Sequence, residues 1–232
     1  MLSTQRGGRP VAPEGYVGSE ELLFGRAIGA LPESASLAVA AHAALCPEAS
    51  SIVHHHKAVA GALIETLEPA SLNEGALDRA LKAIEAEGDA GPVLPVAEPV
   101  RDGLDLPSVL RSYVGPDIEA LRWKRVMKGV REAELPVSDG EICRTRLMHI
   151  DSGQPVLQHG HNGLELTLLL QGAYGDCTGE YRRGDLQVAD EEIDHKPMAF
   201  GGEDCLCLVV TDAPIRFTGP FGRLLNLFVR YK

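Results

Sequence analysis

An α + β chain of two unlike halves is predicted, a small helical bundle followed by an all-β barrel or sandwich. Three observations predict it. Up to Gly88, apolar residues recur at helical spacing between capping and breaking residues. From Asp89 to Pro107 four prolines, Pro92, Pro95, Pro99 and Pro107, punctuate a stretch with no helical period, which reads as a partly extended linker. Beyond it, short apolar runs alternate with Gly, Asp and Pro turns, the pattern of many short strands. The expected division is therefore residues 1–88, a linker at 89–106, and 107–232.

Residues 1–17 are rich in Gly, Pro and polar groups and read as a loose arm. Ser19 is a plausible cap for a first helix with Glu20 and Glu21 in its first turn, where acidic groups complement the helix dipole. Leu22, Leu23, Ala27 and Leu31 give it a partial apolar face, and Pro32 ends it. Pro32 then suits the first position of a second, Ala-rich helix running to Leu45. A third is expected from about Glu48 to Leu67, with Ile52, Val59 and Leu63 at helical spacing and Pro69 closing it. Ser71-Leu72-Asn73-Glu74 reads as a capping box for a fourth helix bearing Leu77, Leu81 and Ile84, with Gly88 as its C-cap.

In the second half a short helix is expected near Ser108 to Tyr113. Strands are expected at Trp123–Val126, Cys143–Ile150, Leu164–Leu170, Leu186–Val188, Leu206–Thr211 and Leu224–Arg230. The chain has 232 residues, 44% of them apolar, enough for real cores. Its formal net charge of −11 lacks the basic footprint of a DNA-binding protein, so no direct nucleic-acid contact is expected, and a partner with a basic surface suits it. No run approaches the ~18 consecutive apolar residues of a membrane helix, and Arg6 and Arg9 precede no apolar signal-peptide region. Five scattered cysteines fit a reducing, cytoplasmic compartment.

The stretch Gly153 to Gly172 carries the chemistry. His159 and His161 are two apart, so on a strand both imidazoles point to one side. If Asn162-Gly163 turns a hairpin, Glu165 on the return strand can meet them. Imidazole with carboxylate suits zinc, iron, manganese, nickel or copper. Taken alone, His-x-His equally fits a hairpin with two solvated histidines. Elsewhere, His42 and Cys46 sit at i, i+4 on one helical face, a familiar zinc pair that still needs two more ligands. His54-His55-His56 point around a helix and suit a solvated surface. Cys205 and Cys207 lie on an apolar strand and are expected to pack inside a barrel. Asp176, Glu180 and Asp185 look like turn carboxylates, and His149 like a satisfied core histidine.

The order Gly153, five residues, His159-x-His161, three residues, Glu165, six residues, Gly172 resembles the first signature of the cupin family at every position. The second signature resembles Gly184 to Ala199, with His195 eleven residues after Gly184; Asp190, Glu192 and Ala199 stand where the family usually has Pro, Gly and Asn. The resemblance implies a cupin β-barrel of jelly-roll type holding one divalent transition metal on His159, His161, Glu165 and His195. Zinc is the first choice, with iron, manganese or nickel as alternatives.

Nearly the whole chain resembles the ChrR-type anti-sigma factors. The similarity runs through Gly29-Ala30-Leu31-Pro32-Glu33, Val39 to Glu48, Glu180-Tyr181-Arg182-Arg183-Gly184-Asp185 and Cys205-Leu206-Cys207. Such proteins hold an extracytoplasmic-function sigma factor through the helical domain. Their cupin metal is required for the response to oxidative signals such as singlet oxygen or organic peroxides. Their helical domain usually carries zinc on a His and a His-x-x-x-Cys-x-x-Cys run. Here His42 and Cys46 match, but Ala49 replaces the second cysteine and the earlier His is missing, so the helical half is expected to hold no metal tightly.

The resemblance thus implies a bacterial transcription regulator that sequesters its sigma factor and releases it on an oxidative signal. Its expected partner is the sigma factor, with homo-oligomerisation left open, and no catalytic residues are expected. A second reading is a cupin dioxygenase or isomerase using the same four ligands, and a third is a plain metal-stabilised barrel. A helical half that a simple cupin enzyme does not need favours the first.

Overall fold

The computed structural model describes residues 20–87, 106–139 and 143–219. The expected arm, the Gly88 cap, nearly all of the linker and the Leu224–Arg230 strand lie outside these residues. Four helices come first: α1 (Glu20–Ile28), α2 (Glu33–Leu45), α3 (Pro47–Glu65) and α4 (Ala76–Glu87). Pro32 sits just outside α2, at φ −53° and ψ 155°, while Pro47 takes the first turn of α3, where its missing N–H costs nothing. The Ser71 capping box does not form. Gly75, at φ 72°, precedes α4 instead, and its carbonyl accepts from Arg79 N. Among the described residues no single helix is long and apolar enough to cross a membrane.

The barrel follows α5 (Ser108–Val114) and a 3-10 turn at Ile118–Ala120. Its strands are β1 (Lys124–Met127), β2 (Val130–Glu134), β3 (Arg144–Ile150), β4 (His159–Gly160), β5 (Glu165–Gln171), β6 (Ala173–Gly175), β7 (Glu180–Arg182), β8 (Leu186–Ala189), β9 (Asp194–His195), β10 (Met198–Phe200), β11 (Cys205–Thr211) and β12 (Arg216–Phe217). They form a six-stranded sheet, β1-β2-β3-β11-β5-β8, and two three-stranded sheets, β10-β6-β7 and β12-β4-β9, with every pairing antiparallel.

The six-stranded sheet is apolar on both faces, and each face has its own cover. On β5 and β11 the residues Leu166, Leu168, Leu170, Leu206, Leu208 and Val210 point outward into a core shared with Leu37, Ala38, Val39 and Ala41 of α2 and with α1, α3 and α5. The alternate residues Leu169, Cys205, Cys207 and Val209 point inward among Tyr174, Tyr181 and Ile150. Alternation along a strand thus lets one segment serve the helices and the barrel interior at once. Helix α2 packs directly on β5 and β11.

The helical half is unevenly covered. Leu22, Leu23, Val39 and Val53 are buried, whereas the C-terminal half of α3 and the whole apolar stripe of α4 face solvent: Leu63 is 64% exposed and Ile84 66%. His54 and His55 are exposed, but His56 packs edge-on against Phe24, ring centroids 5.4 Å apart.

Candidate metal centre

The structure brings His159, His161, Glu165 and His195 together, all buried, with one ligating atom from each within 4.8 Å of the others. Sheet register does part of this. Strands β4 and β9 pair with His159 opposite His195, and their Nε2 atoms lie 3.0 Å apart. The expected β4–β5 hairpin is not there. Strand β4 pairs with β9 and β12, β5 pairs with β11 and β8, and the chain crosses between sheets at Asn162-Gly163. Asp212 occupies the space a hairpin partner would need, accepting from Leu164 N at 2.7 Å, while Asn162 Nδ2 donates to Pro214 O. A side chain at Gly163 would collide with Asp212, so the close approach requires glycine. Glu165 therefore meets the imidazoles across the barrel, its Oε1 at 4.0, 3.7 and 3.8 Å from Nε2 of His159, His161 and His195.

Hydrogen bonds fix the imidazole tautomers. Nδ1 of His159 donates to Leu157 O at 2.7 Å, that of His161 to Ile193 O at 3.1 Å, and that of His195 to Asp176 Oδ2 at 2.7 Å. Each of these oxygens can only accept, so each Nδ1 carries the proton and each Nε2 presents a lone pair inward. Three inward lone pairs and a carboxylate repel one another unless a cation sits among them. Ligand atoms on a tetrahedral ion with ~2.1 Å bonds lie about 3.4 Å apart, which matches the spacing here. Nε2 of His161 is buried with no hydrogen-bond partner among the described residues, as an atom reserved for a metal should be. The donor set fits a divalent transition ion.

Burial pushes the Glu165 carboxyl up, but contact with the His159 and His161 rings, when these carry a proton on Nε2, and the charge of nearby Arg146 hold it well below its usual range. The site therefore offers an anionic ligand at neutral pH. Asp190 repairs the turn where the usual proline and glycine are missing: its carboxylate accepts from Glu192 N at 3.0 Å, and its carbonyl from Ile193 N. That turn delivers the Ile193 carbonyl to His161.

Asp176 is not the surface turn carboxylate its sequence context suggested. It is buried at 4% exposure and accepts from His195, from Thr178 and from Gln187 Nε2 at 2.9 Å. Burial opposes its ionisation, yet these donors hold it far below the usual carboxylate range. Asp176 therefore orients His195 and fixes its tautomer, a role that sequence position alone does not reveal. Asp176→Asn is expected to lower metal affinity about 10–100-fold, measured by competition with a chelator. Gly184 and Asp185 do form a turn, with Asp185 accepting from Arg182 N at 2.7 Å. Cys205 and Cys207 pack inside the barrel, their sulfurs 3.4 Å apart.

His42 and Cys46 do not assemble a second centre. His42 is fully buried, and its Nδ1 lies 2.7 Å from the Gly184 carbonyl, which can only accept. Burial lowers its pKa, so it donates as a neutral ring. Cys46 Sγ lies 3.5 Å from Glu48 Oε2, and Ala49 is buried beneath. Among the described residues neither belongs to a cluster of three ligating side chains; the one such cluster besides the four-residue centre is His149, Asp151 and Asp204 at the end of β3, whose two carboxylates are exposed.

A jelly-roll barrel with three imidazoles and one carboxylate converging inside it, joined to a packed set of N-terminal helices, defines a cupin-type barrel carrying a helical half rather than a lone barrel. Residues 112–214 match the model of the ChrR cupin-like domain. The chain is 40% identical over 212 residues to the anti-sigma-E factor ChrR of Cereibacter sphaeroides, covering 91% of this chain and 96% of that protein. It also superposes on a chain of the crystal structure of Rhodobacter sphaeroides SigE in complex with the anti-sigma ChrR, with a TM-score of 0.70 and 41% identity over 84% of this chain and 97% of that one. The chain belongs to the ChrR family of anti-sigma factors.

Proposed function

We propose that the helices hold an extracytoplasmic-function sigma factor in the cytoplasm, and that a zinc ion on His159, His161, Glu165 and His195 governs its release on an oxidative signal. The observation that carries this reading is the uncovered apolar face of α3 and α4. Val59, Leu63, Leu67, Leu77, Leu81 and Ile84 are between 45% and 68% exposed, beside a relative found in complex with SigE. Exposed apolar stripes of this kind mark a protein-binding surface. In this reading residues 1–88 form the binding unit, 89–106 the tether and 107–232 the sensor. Family membership favours this over the dioxygenase or isomerase alternative.

Coupling between the halves has a physical route. Glu165 faces the metal centre from one side of β5, while Leu166, Leu168 and Leu170 face the helices from the other. Strand β8 pairs with β5, and the turn leading into β8 presents the Gly184 carbonyl to His42 of α2. When bound, the metal supplies a divalent charge that holds the four ligands together. Once an oxidative event frees Glu165, β5 loses its inner anchor, and its partner β8 and the packing of α2 shift with it. The outcome is a population shift between sigma-holding and sigma-releasing states.

Co-expression of the full chain with its cognate sigma factor tests this. A stable complex that blocks sigma-dependent transcription, and dissociates on exposure to an organic peroxide, is expected. A chain that co-purifies with no sigma factor, and leaves transcription unaffected, overturns it. Cys46→Ser is expected to leave one metal per chain, because the helical half contributes none; elemental analysis reads the result. A second metal that disappears in this variant would contradict the assignment.

A further inference from the structure

We propose that the barrel mouth is a binding site for a small aliphatic monocarboxylate whose head group docks on the metal. The inference rests on the metal reading above and names what the site takes. A cavity of about 490 Å³ opens between β1, β2, β3 and the β11–β12 connection. That volume is in the range of small-molecule sites, about 300–1,000 Å³. Its walls share Arg146, Met148, Val156 and Ile215 with an inner lobe of about 50 Å³, which ends on His159 and Glu165. The two cavities adjoin across these shared side chains, so the mouth lies next to two of the four candidate ligands.

The lining selects the ligand. One wall is apolar: Met127, Val130, Met148, Val156, Ile215 and Phe217. Next to it, on the same faces of β2 and β3 that carry Val130 and Met148, runs a strip that is charged but internally paired. Arg144 bonds Glu132 at 2.7 Å and Glu134 at 2.8 Å, and Arg146 lies 3.5 Å from Glu132 and 3.9 Å from Glu165. Two guanidinium groups face three carboxylates, a surplus of one negative charge. A divalent ion on neutral imidazoles converts that to a surplus of one positive charge, which a monoanion neutralises. Both guanidinium groups are already engaged, so a phosphate dianion finds no matching donors, and a cation is repelled. The apolar wall rewards an alkyl chain, while the 50 Å³ lobe admits only a head group of a few atoms.

Octanoate serves as the probe, titrated calorimetrically into full-length protein whose metal content is measured on the same sample. Saturable one-to-one binding is expected. Affinity should fall at least about tenfold for acetate, which lacks the chain, and about tenfold for metal-stripped protein, which lacks the charge. Octylammonium should not compete. Met127 lies at the mouth, away from the ligands, and is half-buried. Met127→Glu should weaken octanoate about tenfold by adding a negative charge and removing apolar wall, while Met127→Leu stays within about twofold. Metal content and thermal unfolding of both variants establish that they fold. Metal-loaded protein that fails to bind octanoate, or binds it equally well with Met127→Glu or without metal, overturns the ligand assignment alone. Protein that holds no metal overturns the metal reading and this inference together.

Discussion

Replacing both His159 and His161 with alanine is expected to take the protein from one metal per chain to none. Both side chains are buried at the same end of the barrel, and both rings are locked by Nδ1 bonds to backbone carbonyls, so their lone pairs are committed to a single point. The variant leaves Glu165 and His195, two donors with no third, too few for a closed site. Buried Glu165 then keeps Arg146 as its cationic neighbour, 3.9 Å away, but loses both imidazoles. The barrel also loses the stability that a bound ion contributes by mass action, about 4 kcal/mol at a free concentration 1,000 times Kd. Elemental analysis reads the first effect. Thermal unfolding, with and without added metal, reads the second. Full stoichiometry in the double variant would remove these histidines from the metal centre.

The sequence carried the four clustered side chains better than the path that assembles them. His159, His161, Glu165 and His195 were legible because the cupin signature fixes their spacing. The local hairpin inferred from Asn162-Gly163 was wrong, because turn propensity is local while Asp212, nearly fifty residues away, decides where β5 goes. Asp176 was missed for the same reason: an acidic residue beside Gly175 reads as a turn, and only the fold places it on His195. Strand β2 went unread because Arg131, Glu132 and Glu134 break the apolar alternation, though Glu132 and Glu134 serve the charged strip of the mouth. The apolar run of β5 signalled burial on both faces, and the structure supplies the second cover as α2. His42 and Cys46 were recognisable as a family remnant; that His42 instead holds the Gly184 carbonyl follows only from α2 lying against the barrel.

The double substitution Leu63→Asp with Leu67→Asp is expected to abolish sigma capture while leaving the free protein folded. Leu63 lies in the last turn of α3 and Leu67 just beyond the helix end at Glu65, and they are 64% and 68% exposed. Charging an exposed position costs the free chain little, within about 0.5 kcal/mol per site. In a complex the same face is desolvated, and a carboxylate there must lose its water without gaining a partner. Truncating or charging central apolar anchors weakens an interface by about 2–4 kcal/mol, so an affinity loss of about 100-fold is a conservative expectation. Metal content and urea unfolding should match the parent, because the barrel and the core around Leu23, Val39 and Leu208 are untouched. Ile84→Asp, on the separate exposed stripe of α4, tests whether the partner spans both helices. Sigma binding that survives all three substitutions would place the sigma interface elsewhere on the chain.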